Sequence, residues 1–327
     1  MAILRTLTAG ALLALALVQA APHAAAQDFP RKPMRIISVF PSGLSPDVAM
    51  RIVADKLAQQ LGQPVIVEPR PGANGFIAIG ALKKAAPDGH ELLLLSLAHL
   101  ALNPNLLKNI PYDPENDFVP VSPIYRAPFF IVVSATGPYR TFQDLIAAAT
   151  ANPQRITYGT PYVGSPPHLG GAMLAYLTGT QMQAVQFKEN TQINTALVNG
   201  DIGFFVTTTG SVASLVRAGR LKILAIAAPA RLASEPDVPT VKELGGPEGY
   251  EVDSWIGLVA LRGTPPDVVR RINADLAKVL AEPDVKERFK GLGVEPISNT
   301  PAEMAGMIHA ELKRYGDLIK RIGLTAE

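Results

Sequence analysis

Three short stretches carry the residues whose types and spacing could do chemistry. The first, Phe40-Pro41-Ser42-Gly43-Leu44-Ser45-Pro46-Asp47, is a turn signal followed by a helix start. It offers a Ser45 hydroxyl as cap, proline at the first helical position and an acid in the first turn. The second, Thr160-Pro161-Tyr162-Val163-Gly164-Ser165-Pro166-Pro167-His168, repeats that glycine, serine and proline pattern before another apolar helix. The third is Ser96-Leu97-Ala98-His99, and Thr207-Thr208 adds a pair of hydroxyls. A helix N-terminus presents unpaired N–H groups and the positive end of a dipole, so such corners can hold a carboxylate or phosphate without a charged side chain. The same pattern also opens βα units that bind nothing, and Asp47 is read as stabilising its own helix.

Covalent chemistry fits these residues poorly. Gly43-Leu44-Ser45-Pro46-Asp47 approaches the G-x-S-x-G elbow but ends in Asp, and proline directly after the serine removes the N–H that an oxyanion hole needs. Neither His99 nor His168 has a carboxylate beside it or lies in a metal-ligand spacing. A serine hydrolase is therefore the least favoured function, and no cofactor or metal is expected. His99 reads best as a partly buried polar side chain. Lys188 stands at a strand-to-helix turn where it can neutralise Glu189, and Trp255 reads as core or hinge packing.

The elements that must position these stretches follow from periodicity. Ile36–Phe40 is a short β-branched run, Val48, Ile52, Val53, Leu57 and Leu61 form one helix face, and Gly62 ends that helix. Strands over 64–68 and 92–96, with a helix over 77–86 between them, complete a β–α–β–α–β order. That order implies a parallel sheet with ligands beyond the carboxyl ends of its strands. Pro120–Pro128 is proline-rich and extended, which suits a first crossing between lobes, and 228–239 suits a return. Strands over 129–134, 156–159, 185–188, 202–206 and 221–227 fill the second lobe. A strand over 251–259 and helices over 266–280 and 301–319 pack back on the first.

The expected organisation is a signal peptide over 1–26, a first lobe of 27–125 plus 231–327, and a second lobe of 126–230, closing as a clam-shell by hinge motion. The leader reads from Arg5, the apolar run Leu7–Val18 and the small residues Ala24-Ala25-Ala26. Its removal leaves 29 basic against 28 acidic residues, so there is no basic surface for nucleic acid. With no cysteine there is neither disulfide nor thiol-linked lipid anchor. The expectation is a free, monomeric protein in a Gram-negative periplasm, with no direct membrane insertion.

Beyond these patterns the chain resembles the receptors of tripartite tricarboxylate transporters, the Bug or TctC-like family. The resemblance rests on Phe29-Pro30-x-Lys32-Pro33-x-Arg35, Phe40-Pro41-Ser42-Gly43, Asp47, Gly62-Gln63-Pro64-Val65, Arg70-Pro71-Gly72-Ala73-Asn74-Gly75, Ala86-Pro87-Asp88-Gly89, Pro111-Tyr112-Asp113-Pro114, Asp237-Val238-Pro239-Thr240 and Ser254-Trp255-x-Gly257. It implies an α/β, type-2 periplasmic-binding fold that captures a small organic acid between two lobes and hands it to a membrane permease. Presentation of the bound form to a sensor kinase is the alternative. It also implies binding loops at Phe40, Ser42, Gly43, Leu44, Ser45 and Asp47; at Ser96, Ala98 and His99; at Thr160, Tyr162, Val163, Gly164, Ser165 and His168; and at Thr207 and Thr208. The chain departs from the family pattern at Leu44, where a glycine is common, and at Pro166-Pro167, which interrupt a run of hydroxyl residues. Threonines replace an acid near Val206–Thr209. These departures suggest fewer donors and more apolar surface than a citrate site would need.

Overall fold

A computed structural model describes residues 29–161, 163–232, 235–321 and 323 of the chain. The expected leader and Tyr162 lie outside the described residues. Two sheets form, one per lobe. The first has the order β11-β4-β10-β3-β1-β2, built from β1 (Met34–Ser38), β2 (Val65–Pro69), β3 (Glu91–Ser96), β4 (Phe118–Pro128), β10 (Asp253–Leu261) and β11 (Glu295–Pro296). β1 pairs in parallel with β2 and β3, while β10 runs antiparallel to β3 and β4. The parallel part arises because helices α1 (Ser45–Leu61) and α2 (Phe76–Leu82) supply the crossovers. Alternation along the strands divides the core. Ile36, Leu92, Leu94 and Leu258 meet Val53 and Leu57 of α1, whereas Ile37, Leu93, Leu95 and Val259 meet Ile79 and Leu82 of α2.

The second sheet has the order β7-β6-β8-β5-β9, from β5 (Phe130–Ser134), β6 (Ile156–Thr160), β7 (Met182–Gln186), β8 (Phe204–Thr207) and β9 (Leu221–Ile226). Four helices cover it: α4 (Phe142–Ala151), α5 (Pro166–Thr178), α6 (Asn190–Asn199) and α7 (Thr209–Arg217), numbered after the short α3 (Asn103–Leu106) of the first lobe. Three more helices return to the first lobe: α8 (Pro266–Ala281), α9 (Pro283–Gly291) and α10 (Pro301–Arg321). Among the described residues no helix is long and apolar enough to cross a membrane.

Two expectations change here. Pro120–Pro128 is not a free crossing segment but the bulk of β4, an interior strand. Its prolines are accommodated because the pairing with β10 slips at two bulges and β11 covers only Tyr125 and Arg126 on the other side. The first crossing falls instead on Phe129, between β4 and β5. The return, expected near 231, falls at Val252. Until then the chain stays with the second lobe: Ile226 bridges Thr240, and Val241, Tyr250 and Val252 are buried in that lobe's core with Phe204 and Leu224.

At the crossing three residues bind one another in a ring of backbone bonds. Phe129 N–H donates to Val252 C=O, Val252 N–H to Ala227 C=O, and Ala227 N–H to Phe129 C=O, at 2.9–3.1 Å. Strand direction then places the loops. Ser96, at the carboxyl end of β3, pairs with Ile256, and Pro128, at the carboxyl end of β4, pairs with Asp253. Across the crossing, Phe130 pairs with both Thr207 and Ile226, the carboxyl ends of β8 and β9. The carboxyl edges of both sheets thus converge on the ring of bonds and share the space between the lobes.

Candidate functional site

At each carboxyl edge a glycine in the left-handed region turns the chain from strand into helix: Gly43 at φ 84° and Gly164 at φ 83°. Both corners close in the same way. Gly43 N–H donates to Asp47 Oδ2 at 2.9 Å, and Gly164 N–H donates to His168 Nδ1 at 3.0 Å. In each case the acceptor lies four residues on, in the first turn of the helix. Asp47 is buried and also binds the Arg51 guanidinium through both oxygens at 3.0 Å. Burial opposes its ionisation, but the bonds from Arg51, Gly43 and Ser42 prevail and hold the carboxyl below its ordinary range. His168 is buried, which lowers its pKa. Accepting at Nδ1 makes it the neutral Nε2–H tautomer.

Caps differ between the corners. Ser45 is not the cap of α1. Leu44 has the extended conformation and its carbonyl accepts the first helical bond, from Val48 N–H, so the N-cap falls on a residue with no side-chain acceptor. Ser165 does cap α5, accepting from His168 N–H at 3.3 Å, and its hydroxyl lies 2.8 Å from that of Thr160.

Ser96–His99 is expected as a loop, but the strand passes straight into a π-helical turn, Ala98–Leu102, that buries Leu97 and Ala98. His99 Nδ1 lies 2.9 Å from the Ser96 hydroxyl, its ring stands edge-on to Phe40 with centroids 6.2 Å apart, and Tyr112 donates to its carbonyl. Burial pushes the imidazole down to about 4, too weakly basic to activate the serine beside it. Gly75 is the position that composition alone does not mark. A Cβ there would stand 2.7 Å from His99 Nε2, so only glycine lets the ring sit where it does. The run Pro71-Gly72-Ala73-Asn74-Gly75 is its sequence signal. All four residues from Gly72 to Gly75 have positive φ.

The remaining expected residues fall at the same edges. Ser42, Gly43, Leu44 and Val163 are exposed; Phe40, Ser45, His99 and Thr208 are partly buried; Ser96, Ala98, Thr160, Gly164, Ser165 and Thr207 are buried. Thr208 bonds Ser211 at 3.0 Å. The second corner touches the first lobe directly: a Cβ on Gly164 would meet Leu106 Cδ1 at 2.3 Å, and Leu169 belongs to the cluster of Leu97, Leu102 and Trp255. Leu106 and Leu169 are packing neighbours of this corner that residue type did not single out. Trp255 is 1% exposed and its indole N–H has no hydrogen-bond partner among the described residues.

Known proteins match this architecture. Residues 49–324 match the family model described as tripartite tricarboxylate transporter family receptor. Protein BugT of Bordetella pertussis is 33% identical over 299 residues, covering 91% of each chain. Among solved structures, Rpa4515 of R. palustris with adipate is 28% identical with a TM-score of 0.81, covering 91% of this chain and 99% of that one. MatC of Rhodopseudomonas palustris with bound malate is 28% identical with a TM-score of 0.75, covering 89% and 100%. With a family model spanning most of its length and a two-lobed α/β architecture to match, the chain belongs to the tripartite tricarboxylate transporter receptor family.

Proposed function

We propose that the protein is a periplasmic receptor that closes its two lobes on a small organic carboxylate and delivers it to a membrane permease of the tripartite tricarboxylate class. The observation that carries this reading is the convergence of both carboxyl edges, each with a glycine-closed helix corner, on the Phe129–Ala227–Val252 crossing. Helix-terminal N–H groups replace the hydration of a carboxylate, and adipate and malate in related structures are acids of that kind. The site residues belong to this reading: Phe40–Asp47, Ser96–His99, Thr160, Val163–His168 and Thr207-Thr208 form the closing surfaces, and Tyr162 is assigned to them from its place in the sequence alone. Hinge motion about the crossing lets an acid enter and leave.

A thermal-shift and calorimetric panel of small carboxylates, each beside its neutral amide, tests the reading on the mature chain. A ligand at 100-fold its dissociation constant adds about 2.7 kcal/mol of stability. The expected result is stabilisation by acids alone. Equal stabilisation by the amides would remove the carboxylate from the account.

A further inference from the structure

The two corners are built alike but offer a ligand different surfaces. We infer that the cleft takes an acid with one carboxylate, held by the first lobe, and an apolar body that lies toward the second. This rests on the carboxylate reading and adds the ligand's polarity to it. In the first corner the helix opens with the N–H groups of Leu44, Ser45 and Asp47, interrupted only by Pro46. In the second, Pro166 and Pro167 have no N–H and that of His168 is spent on the Ser165 hydroxyl. Of the opening donors only the Ser165 N–H remains.

Side chains follow the same division. Four of the second lobe's hydroxyls are engaged in pairs, Thr160 with Ser165 and Thr208 with Ser211. His168, buried and accepting at Nδ1, carries no positive charge toward a second carboxylate. The first lobe also holds the buried indole N–H of Trp255, which has no hydrogen-bond partner among the described residues and lies one residue from the pairing of Ile256 with Ser96. Apolar side chains are exposed at both corners, Val163 at 45% on the second and Leu44 at 52% on the first, so an apolar body finds surface beside the donor-poor corner. A carboxylate leaves water only where several donors replace its hydration, and the opening backbone of the second corner supplies one free N–H against three in the first. A cation of the second lobe that a second carboxylate could recruit is Lys188, exposed beyond the end of β7.

Calorimetry with pairs of acids that differ only in a second carboxylate tests the inference: butyrate with succinate, hexanoate with adipate, benzoate with terephthalate. In the best-binding pair the monoacid is expected to bind about tenfold tighter or more. A diacid that binds as well as or better than its monoacid overturns the inference and leaves the carboxylate reading standing. An amide that binds as well as its acid, or a panel in which nothing binds at millimolar concentration, overturns both. Pro166→Ala returns an N–H to the second corner and is expected to raise diacid affinity several-fold with monoacid affinity unchanged. An unchanged ratio between the two also counts against the assignment. Lys188→Met is expected to leave that ratio as it is, and a loss of diacid binding confined to this variant would make Lys188 the second reader instead.

Discussion

At the scale of single residues, His99 shows how burial assigns a role that residue type leaves open. The sequence marks it as a base, a donor or a buried polar group. The structure gives it Ser96 on one nitrogen, Gly75 against the other edge and Phe40 at right angles to its ring. Its pKa falls from the ordinary 6.5 to about 4 because the charged ring would lose its water. The sign of the consequence follows by linkage: the unfolded chain binds the proton more readily, so the stability from neutral His99 is complete above pH 6.5 and is lost as pH falls toward 4. The full loss is at most about 3 kcal/mol. Urea denaturation of wild type and His99→Gln between pH 7 and pH 4 checks this. The wild type is expected to lose more stability over that interval, and parallel curves would assign the acid sensitivity to other groups. Gly75 was not legible as His99's partner, because nothing in a sequence says which glycine a distant ring will press against.

Elements were more legible than the bonds that close them. The α1 and α5 helix starts are readable from their Gly, Ser and Pro order, and their apolar faces from three- and four-residue spacing. The cap was misplaced by one residue at Ser45, because Pro46 is equally acceptable at the first or second helical position and only the Val48 to Leu44 bond decides. The pairing of each corner glycine with the side chain four residues later was also invisible, since Asp47 and His168 share no chemistry except an acceptor atom. This likeness makes a comparison possible. Gly43→Ala meets only the left-handed backbone penalty, about 1–2 kcal/mol, as nothing lies within 4 Å of the new Cβ. Gly164→Ala incurs the same penalty and also strikes Leu106 Cδ1, which adds about 1–3 kcal/mol of overpacking. Chemical denaturation should rank the two in that order. Leu106→Ala should recover part of the Gly164→Ala cost in a double-mutant cycle, and strict additivity would show that the lobes do not meet there.

For the whole molecule, the sequence conveyed two lobes and two crossings, yet it misjudged where the chain returns. The segment 228–250 carries proline and charge like a linker, but Val241 and Tyr250 anchor it by burial that only the folded second lobe provides. A second meeting of the lobes was not legible at all. A Cβ on Gly210, at the start of α7, would lie 2.7 Å from the carbonyl oxygen of Leu292 in the first lobe, and one on Gly293 would lie 2.8 Å from Gly210 N. Backbone here approaches backbone, and neither side can yield as a side-chain end would. Gly210 does not have a positive φ, so alanine there tests the approach without a left-handed penalty. Gly210→Ala is expected to leave each lobe folded and to separate them on the α7 side of the crossing. Its outcome is a larger radius of gyration by X-ray scattering with bound acid and an affinity lower by about tenfold, the equivalent of about 1.4 kcal/mol. Scattering and affinity both unchanged would mean that closure does not depend on this approach, leaving the Phe129 ring and the corner at Gly164 to set the distance between the lobes.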